Sequence, residues 1–134
     1  MIVLTNNELV EFWLESSDDD YKTMKDLQAT KNNSWALFLG HLVIEKLVKA
    51  LYAKTNPEKP HAPKTHNLIV LFDRCSIELD IEKASKIGVI NTFNISARYD
   101  SYKKAFKEKA TNEYTEEQIK NIEEIRLWIK QLLI

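Results

Sequence analysis

The chain has 134 residues, of which 44% are hydrophobic and 29% charged, and its formal net charge at pH 7 is −1. This length predicts a single domain over residues 1–134 with one hydrophobic core. The nearly balanced charge excludes recruitment of nucleic acid or anionic membrane by a global field, so any such binding needs a local patch. Because Cys75 is the single cysteine, an internal disulfide is excluded and a reducing cytosol is favoured.

Two further absences favour a cytoplasmic protein. No apolar run approaches the ~20 residues that a membrane span needs. The segment Met1–Leu4 is too short for a signal-peptide core and no basic segment precedes it.

Turn-forming residues are scarce in this sequence. There are two glycines and three prolines, and all three prolines fall between residues 57 and 63. Alternating β-branched runs bounded by turn residues do not occur. We therefore predict an all-α fold.

The first helix is signalled by a capping box. In Thr5-Asn6-Asn7-Glu8 the Thr side chain can accept from the backbone amide three residues on, while Glu8 reaches back. Helical spacing of apolar residues continues to about Thr30. Inside it, three consecutive carboxylates at 18–20 point about 100° apart on a helix, which favours a solvated face over a metal site.

The second helix, predicted over Ser34–Lys54 with Asn33 or Ser34 as cap, organises the chain. Its first half is apolar nearly all round, so it must be covered on both sides by other helices or by a second chain. Its second half carries Glu45, Lys46 and Lys49. The predicted core face consists of Leu37, Gly40, Ile44, Leu47, Val48 and Leu51. The opposite face consists of Trp35, Phe38, Leu39 and Leu42.

Three more helices are predicted after a proline-rich connection over residues 55–64. A short one follows Thr65–Leu68 and ends at Arg74 or Cys75. The next is capped by Asp80 and ends between Asn94 and Arg98. A second capping-box pattern at residues 115–118 opens the last helix. The apolar line predicted for the helix after Asp80 is Ala84, Ile87, Ile90 or Asn91, and Ile95.

Residues 96–112 are the most basic part of the chain. Arg98 and the lysines at 103, 104, 107 and 109 stand against Asp100 and Glu108, with Tyr99, Tyr102 and Phe106 interleaved. Such a pattern suits rings that stack on bases and cations that contact phosphates. The alternative, favoured by spacing alone, is a mobile surface segment pinned to the bundle by its rings.

Three segments carry recognisable patterns: Gly40–Leu51 with EK..KAL, Pro63–Leu68 before a short apolar helix, and Ser96–Asp100 with an ARY followed by an acid. In this order and spacing they resemble the HEPN family (higher eukaryotes and prokaryotes nucleotide-binding domain). The resemblance implies an up-down bundle of four or five helices, commonly dimeric. It also implies either a metal-independent ribonuclease, often a toxin, or a binding module encoded beside a minimal nucleotidyltransferase.

The chain departs from the ribonuclease pattern of that family, which uses an Arg followed by a His four to six residues later. Its histidines are at 41, 61 and 66 and its arginines at 74, 98 and 126. Every His precedes every Arg, so the motif is absent. A rearranged catalytic site that brings His66 to Arg98 by folding remains an alternative, since catalytic geometry is spatial.

We therefore predict a non-catalytic module, without metal or cofactor, that binds a nucleotide or nucleic-acid phosphate and/or acts with a separately encoded minimal nucleotidyltransferase in a toxin–antitoxin or defence-like setting. A purely structural dimeric domain is a third hypothesis. The predicted dimer interface contains Trp35, Phe38, Leu39 and Leu42. His66 is interpreted first as a helix-boundary residue, and His41 as a packed, hydrogen-bonded one. The predicted ligand-binding residues are Glu45, Lys46, Lys49, His66, Arg98, Tyr99, Asp100, Lys103 and Lys104.

Overall fold

The computed structural model describes residues 4–134, so Met1–Val3, part of the segment judged too short for a signal peptide, lies outside it. All regular secondary structure in this range is helical, which confirms the all-α prediction. None of these helices is long and apolar enough to span a bilayer. The helices are α1 Asn6–Ala29, α2 Asn33–Thr55, α3 Leu68–Arg74, α4 Ile81–Arg98, α5 Asp100–Lys109 and α6 Asn112–Leu132.

Six helices replace the four or five expected because the basic segment forms a helix of its own. Tyr99 has extended backbone angles (φ −100°, ψ 127°) and separates α4 from α5. One extended residue is enough to break the helical hydrogen-bond ladder and change the direction of the chain. The basic segment therefore forms helix α5, which packs against α4 and α2.

Helix α2 is the centre of the bundle. It packs against each of the other five helices, and all six residues of its predicted core face are buried. Gly40 lies where α2 meets α1 and α6: a Cβ here would clash with Ile122 Cδ1 and lie 3.3 Å from Met24 Sδ. The absence of a side chain at this position permits the close approach of the helices.

The helix starts are fixed by side-chain caps at most positions. Thr5 and Glu8 form the predicted capping box, with both hydrogen bonds at 3.1 Å. Asp80 caps α4 as predicted, accepting from the Lys83 amide at 2.8 Å. At α3 the cap is Asn67, whose side chain accepts from the amides of residues 69 and 70. His66 is therefore left available for a contact elsewhere.

Two predicted starts are wrong. α2 begins one residue earlier than expected, with Asn32 as N-cap and no side-chain cap hydrogen bond. α6 begins at Asn112 with Thr111 as its N-cap, whose side chain accepts from the Tyr114 amide at 3.2 Å, and not at the capping-box pattern of residues 115–118. Thr115 is instead buried inside the helix, because the chain leaving α5 turns immediately and packs.

The predicted apolar line of α4 is correct at Ile87 and Ile90 and wrong at Ile95. Ile95 is half exposed, and Phe93 and Ala97 are buried in its place. A step of five residues from Ile90 turns about 140° round a helix, so Ile95 leaves the core face. The Phe93 ring lies 5.6 Å from the Phe106 ring of α5, centroid to centroid, and this contact fastens α5 to the core.

The three aspartates of α1 are not a simple solvated face. Asp18 Oδ1 accepts from Lys130 Nζ at 2.9 Å and from Arg126 at 3.3 Å, which ties α1 to α6. Asp20 forms a 2.6 Å ion pair with Lys46 of α2. Asp18 and Asp20 thus bind different neighbours, because their side chains point in different directions on the helix.

Candidate functional site

A buried carboxylate, Glu45, anchors a polar cluster on α2. Its side chain is only 4% exposed. Oε2 accepts from Lys49 Nζ at 3.1 Å, and Oε1 accepts from His66 Nδ1 at 2.8 Å. Glu45 and Lys49 therefore form an i, i+4 ion pair, and burial shields this pair from water. A buried charge is tolerated only when it has such partners.

His41, one turn before Glu45, is completely buried. Its Nε2 donates to the carbonyl oxygen of His66 at 2.9 Å. Nδ1 is then the unprotonated nitrogen, and it faces Glu45 Oε1 at 3.9 Å without a hydrogen bond. Burial lowers the pKa of His41, against the opposing effect of the Glu45 charge. His41 is therefore a neutral, packed histidine, as predicted.

The buried imidazole makes the stability of the fold depend on pH. Since the pKa of His41 is lower in the folded state than its ordinary 6.5, the unfolded chain binds more protons as the pH falls through that value. We expect the free energy of unfolding to decrease between pH 7.5 and pH 5.5. Urea unfolding should show a smaller decrease in His41→Gln, whereas His61→Gln, at an exposed position, should match the wild type. Equal pH dependence in His41→Gln and wild type would contradict this assignment.

His66 presents the opposite arrangement to His41. It precedes the α3 cap, and its Nδ1–H donates to Glu45, which leaves Nε2 as the unprotonated nitrogen of the neutral ring. The side chain is 52% exposed. A carboxylate that orients one ring nitrogen while the other faces solvent is an arrangement capable of general acid–base chemistry.

Lys46 and Lys49, two of the predicted ligand-binding residues, are directed to different partners. Lys46 pairs with Asp20, and Lys49 pairs with Glu45 while lying 5.1 Å from the centroid of the Trp13 ring. Each ammonium group is therefore neutralised separately. In this structure they bind helix α1 to α2 and do not form a common anion clamp.

Arg98 and Asp100, two of the predicted ligand-binding residues, do not pair with each other or with Glu45. Arg98 Nη1 donates to Asn94 Oδ1 at 3.3 Å, and its Cζ lies 6.0 Å from the centroid of the Phe38 ring. Asp100 begins the next helix, almost fully exposed, 3.5 Å from Lys103. The extended residue Tyr99 causes this separation. Within residues 4–134, no carboxylate lies within 4 Å of the Arg98 guanidinium.

Helix α5 carries its cations on the outside. Its one buried side chain is Phe106, while Tyr99 and Tyr102 are each more than half exposed. Phe106 therefore attaches the segment to the bundle, whereas Tyr99 and Tyr102 do not. Of the lysines, Lys103 lies 5.9 Å from the centroid of the Trp35 ring and Lys109 lies 5.4 Å from that of Tyr114. We call Arg98, Lys103, Lys104, Lys107 and Lys109 the basic surface.

A cavity of about 520 Å³ lies between the start of α2 and α5. Its floor is apolar and its rim is cationic. Lys31, which the sequence analysis did not single out, lines it together with two lysines of the basic surface. No local sequence pattern assigns a binding role to the polar segment before α2, because this segment approaches α5 only in the folded chain. The lining residues are Lys31, Asn32, Asn33, Ser34, Trp35, Ala97, Lys103, Phe106, Lys107 and Ala110.

Comparison with known proteins identifies the family. The family model of the HEPN domain matches residues 10–132. The chain belongs to the HEPN family. No curated protein and no solved structure matches it. Membership confirms the resemblance inferred from the three sequence segments and makes the chain a helical module of a nucleotide- and RNA-related family.

This HEPN domain leaves part of its α2 apolar face uncovered. Trp35 is 46% exposed, and its ring meets that of Phe38 edge to face at 5.8 Å. Phe38, Leu39 and Leu42 are partly buried against the bundle. The four residues predicted at a dimer interface therefore present one exposed ring and three partly covered side chains.

The single thiol of the HEPN domain is inert at neutral pH. Cys75 is buried, and burial raises the pKa of its thiol to about 11. The thiolate, which is the nucleophile and the metal ligand, is thus scarce at pH 7. In this structure Cys75 is a buried packing residue.

Proposed function

We propose that this HEPN domain is a non-catalytic module that binds the phosphates of a nucleotide or of RNA through its basic surface. The observation that carries the proposal is the ordered cluster of five cations at the end of α4 and along α5. Only Asp100 and Glu108 oppose them locally. Arg98, Lys104 and Lys107 have no carboxylate within 4 Å in the part of the chain that the structure describes.

Local charge is what phosphate binding needs in a chain of net charge −1. Cations that neutralise phosphates release counterions, and this term supplies most of the affinity for nucleic acid that does not depend on sequence. Exposed Tyr99 and Tyr102 offer faces on which unpaired bases can stack. Of the ligand-binding residues predicted from sequence, we retain Arg98, Tyr99, Lys103 and Lys104 as direct contacts.

The other predicted ligand residues have a structural role in this proposal. Glu45, Lys46 and Lys49 join α1, α2 and the segment before α3 through ion pairs. These ion pairs stabilise the part of the bundle against which α4 and α5 pack. Asp100 lies beside Lys103 and opposes phosphate binding there.

Fluorescence anisotropy with a labelled single-stranded RNA tests the proposal. We expect Arg98→Ala combined with Lys104→Ala to raise the Kd roughly tenfold, to a similar extent for RNAs of different sequence, because phosphate contacts carry no sequence information. Lys120→Ala is the matched control, since Lys120 is an exposed lysine of α6, away from this surface. Absence of RNA and nucleotide binding by the wild type, or an unchanged Kd in the double variant, would contradict the proposal.

The proposal includes a biological setting. We place the domain in the cytoplasm as a homodimer whose interface includes Trp35, Phe38, Leu39 and Leu42, acting with a separately encoded minimal nucleotidyltransferase in a toxin–antitoxin or defence-like system. The exposed Trp35 ring supports an interface on this face, since large exposed apolar groups favour association.

A second candidate function is a metal-independent ribonuclease, favoured by the orientation of His66 by Glu45. Nε2 of His66 would take the proton of a ribose 2′-hydroxyl, whose oxygen attacks the adjacent phosphorus. The P–O5′ bond breaks, the 5′-oxygen takes up a proton, and the products are a 2′,3′-cyclic phosphate and a 5′-hydroxyl. Arg98 would stabilise the developing negative charge.

Incubation of RNA with the protein in EDTA separates the two candidates. The binding proposal predicts intact RNA after saturation with the wild type. Cleavage that is lost in His66→Ala and retained in His61→Ala would reject the binding proposal in favour of the ribonuclease. The exposed His61 makes this control informative, because it removes an imidazole without affecting Glu45.

A further inference from the structure

The cavity beside the basic surface has the shape and charge of a binding pocket for one small anion. It is formed by two parts of the chain that are far apart in sequence, the start of α2 and helix α5. Ala97, Phe106 and Ala110 are all buried and close its floor. Its volume of about 520 Å³ lies within the range of small-molecule sites, about 300 to 1,000 Å³.

Three lysines line this cavity. Lys103 and Lys107 are four residues apart on α5, so they share a helix face, and Lys31 comes from the segment before α2. Neither Lys31 nor Lys107 has a carboxylate within 4 Å in residues 4–134, and the partner of Lys103 is the exposed Asp100 at 3.5 Å. The rim therefore holds three positive charges and only one weak internal counter-charge.

The cavity wall also offers an aromatic surface. Trp35 lines it, with its edge toward Phe38 and the ammonium group of Lys103 near the ring. The indole adds apolar surface to the cavity wall beside the cations of the rim.

We propose that this cavity binds a nucleotide that carries a terminal phosphomonoester, as a free mononucleotide or as the phosphorylated end of an RNA strand. The inference rests on the proposed function and narrows its ligand. A phosphomonoester carries about −1.5 to −2 charges at pH 7, whereas an internal phosphodiester carries one. The three lysines that line the cavity match the larger charge, while the exposed face of α5 suits internal phosphates.

Competition binding tests this inference. An internally labelled RNA is displaced by unlabelled oligonucleotides of one sequence that differ only in their ends: 5′-phosphate, 3′-phosphate, or hydroxyls at both. We expect one phosphorylated oligonucleotide to bind about tenfold more tightly than the hydroxyl form, the ratio expected of one added charge-assisted contact. Adenosine 5′-monophosphate, adenosine and inorganic phosphate as competitors distinguish a free nucleotide from an RNA end.

Lys31→Gly is the decisive variant because it removes the charge without straining the fold. Lys31 has a φ of 63°, a left-handed conformation that glycine adopts freely. We expect Lys31→Gly to remain folded, to lose most of the preference for a terminal phosphate, and to bind the hydroxyl oligonucleotide about as the wild type does. The control Lys104→Ala, outside the cavity, should weaken all three oligonucleotides and keep the preference.

The outcomes separate this inference from the proposed function. RNA binding without any preference for a terminal phosphate would overturn the cavity assignment and leave the basic surface in place. A preference that persists unchanged in Lys31→Gly would also overturn it. No binding of RNA or nucleotide by the wild type would reject the proposed function itself.

Discussion

Glu45→Ala is expected to lower the free energy of unfolding by about 3 kcal/mol, the range for breaking a buried ion pair on one side. The substitution leaves the ammonium group of Lys49 and the Nδ1–H of His66 without their acceptor. It also opens space beside the buried His41 ring. Urea unfolding monitored by tryptophan fluorescence measures the change, since Trp13 lies against Lys49.

Two further variants separate charge from packing at this position. Glu45→Gln keeps the shape and one acceptor oxygen, so we expect a smaller loss than in Glu45→Ala. Lys49→Met should partly restore the stability of Glu45→Gln, because it removes the unpaired cation. A loss below about 0.5 kcal/mol in Glu45→Ala, as is typical of surface substitutions, would contradict the role of Glu45 as the anchor of the cluster.

Phe106→Ala is expected to detach α5 from the bundle without unfolding the other helices. Phe106 is the only side chain of α5 that is buried, and truncation of a buried Phe typically costs about 3 to 5 kcal/mol. A ten-residue helix is not stable in water by itself. We therefore expect hydrogen exchange to accelerate over residues 100–109 while the amides of α2 remain protected.

The same variant connects stability to function. If the basic surface binds phosphate as a preformed helix, Phe106→Ala should weaken RNA binding although it removes no charge, because the ordering of α5 must then occur on binding. Tyr102→Ala, at an exposed position of the same helix, should leave exchange in α5 unchanged. Protection of α5 in Phe106→Ala equal to that of the wild type would show that other contacts hold the helix.

Local signals were sufficient to predict two of the helix starts and the core face of α2. The capping box at Thr5 and the cap at Asp80 depend on residues within one helical turn, so the sequence contains all of their determinants. The core face of α2 followed from helical periodicity. The resemblance to the HEPN family depended on the order and spacing of three segments along the chain. The match to the family model confirmed this resemblance.

Features that depend on tertiary contacts were missed. Residues 115–118 form a better capping box than residues 111–114, yet α6 starts at Asn112, with Thr111 as its N-cap and Thr115 buried within the helix. The ion pair of Lys46 with Asp20 could not be predicted from the residue spacing along α2 alone, because Asp20 lies on α1. The cavity combines Lys31 with α5, and no local pattern relates these two segments.

The salt dependence of RNA binding tests the central claim most directly. For single strands, log K falls with log salt concentration with a slope of about −0.7 per neutralised phosphate, so four or five contacts on the basic surface predict a slope near −3. The combined Arg98→Ala and Lys104→Ala variant should reduce its magnitude by about 1.4. A slope near zero in the wild type, or the same slope in both proteins, would contradict phosphate binding by this surface.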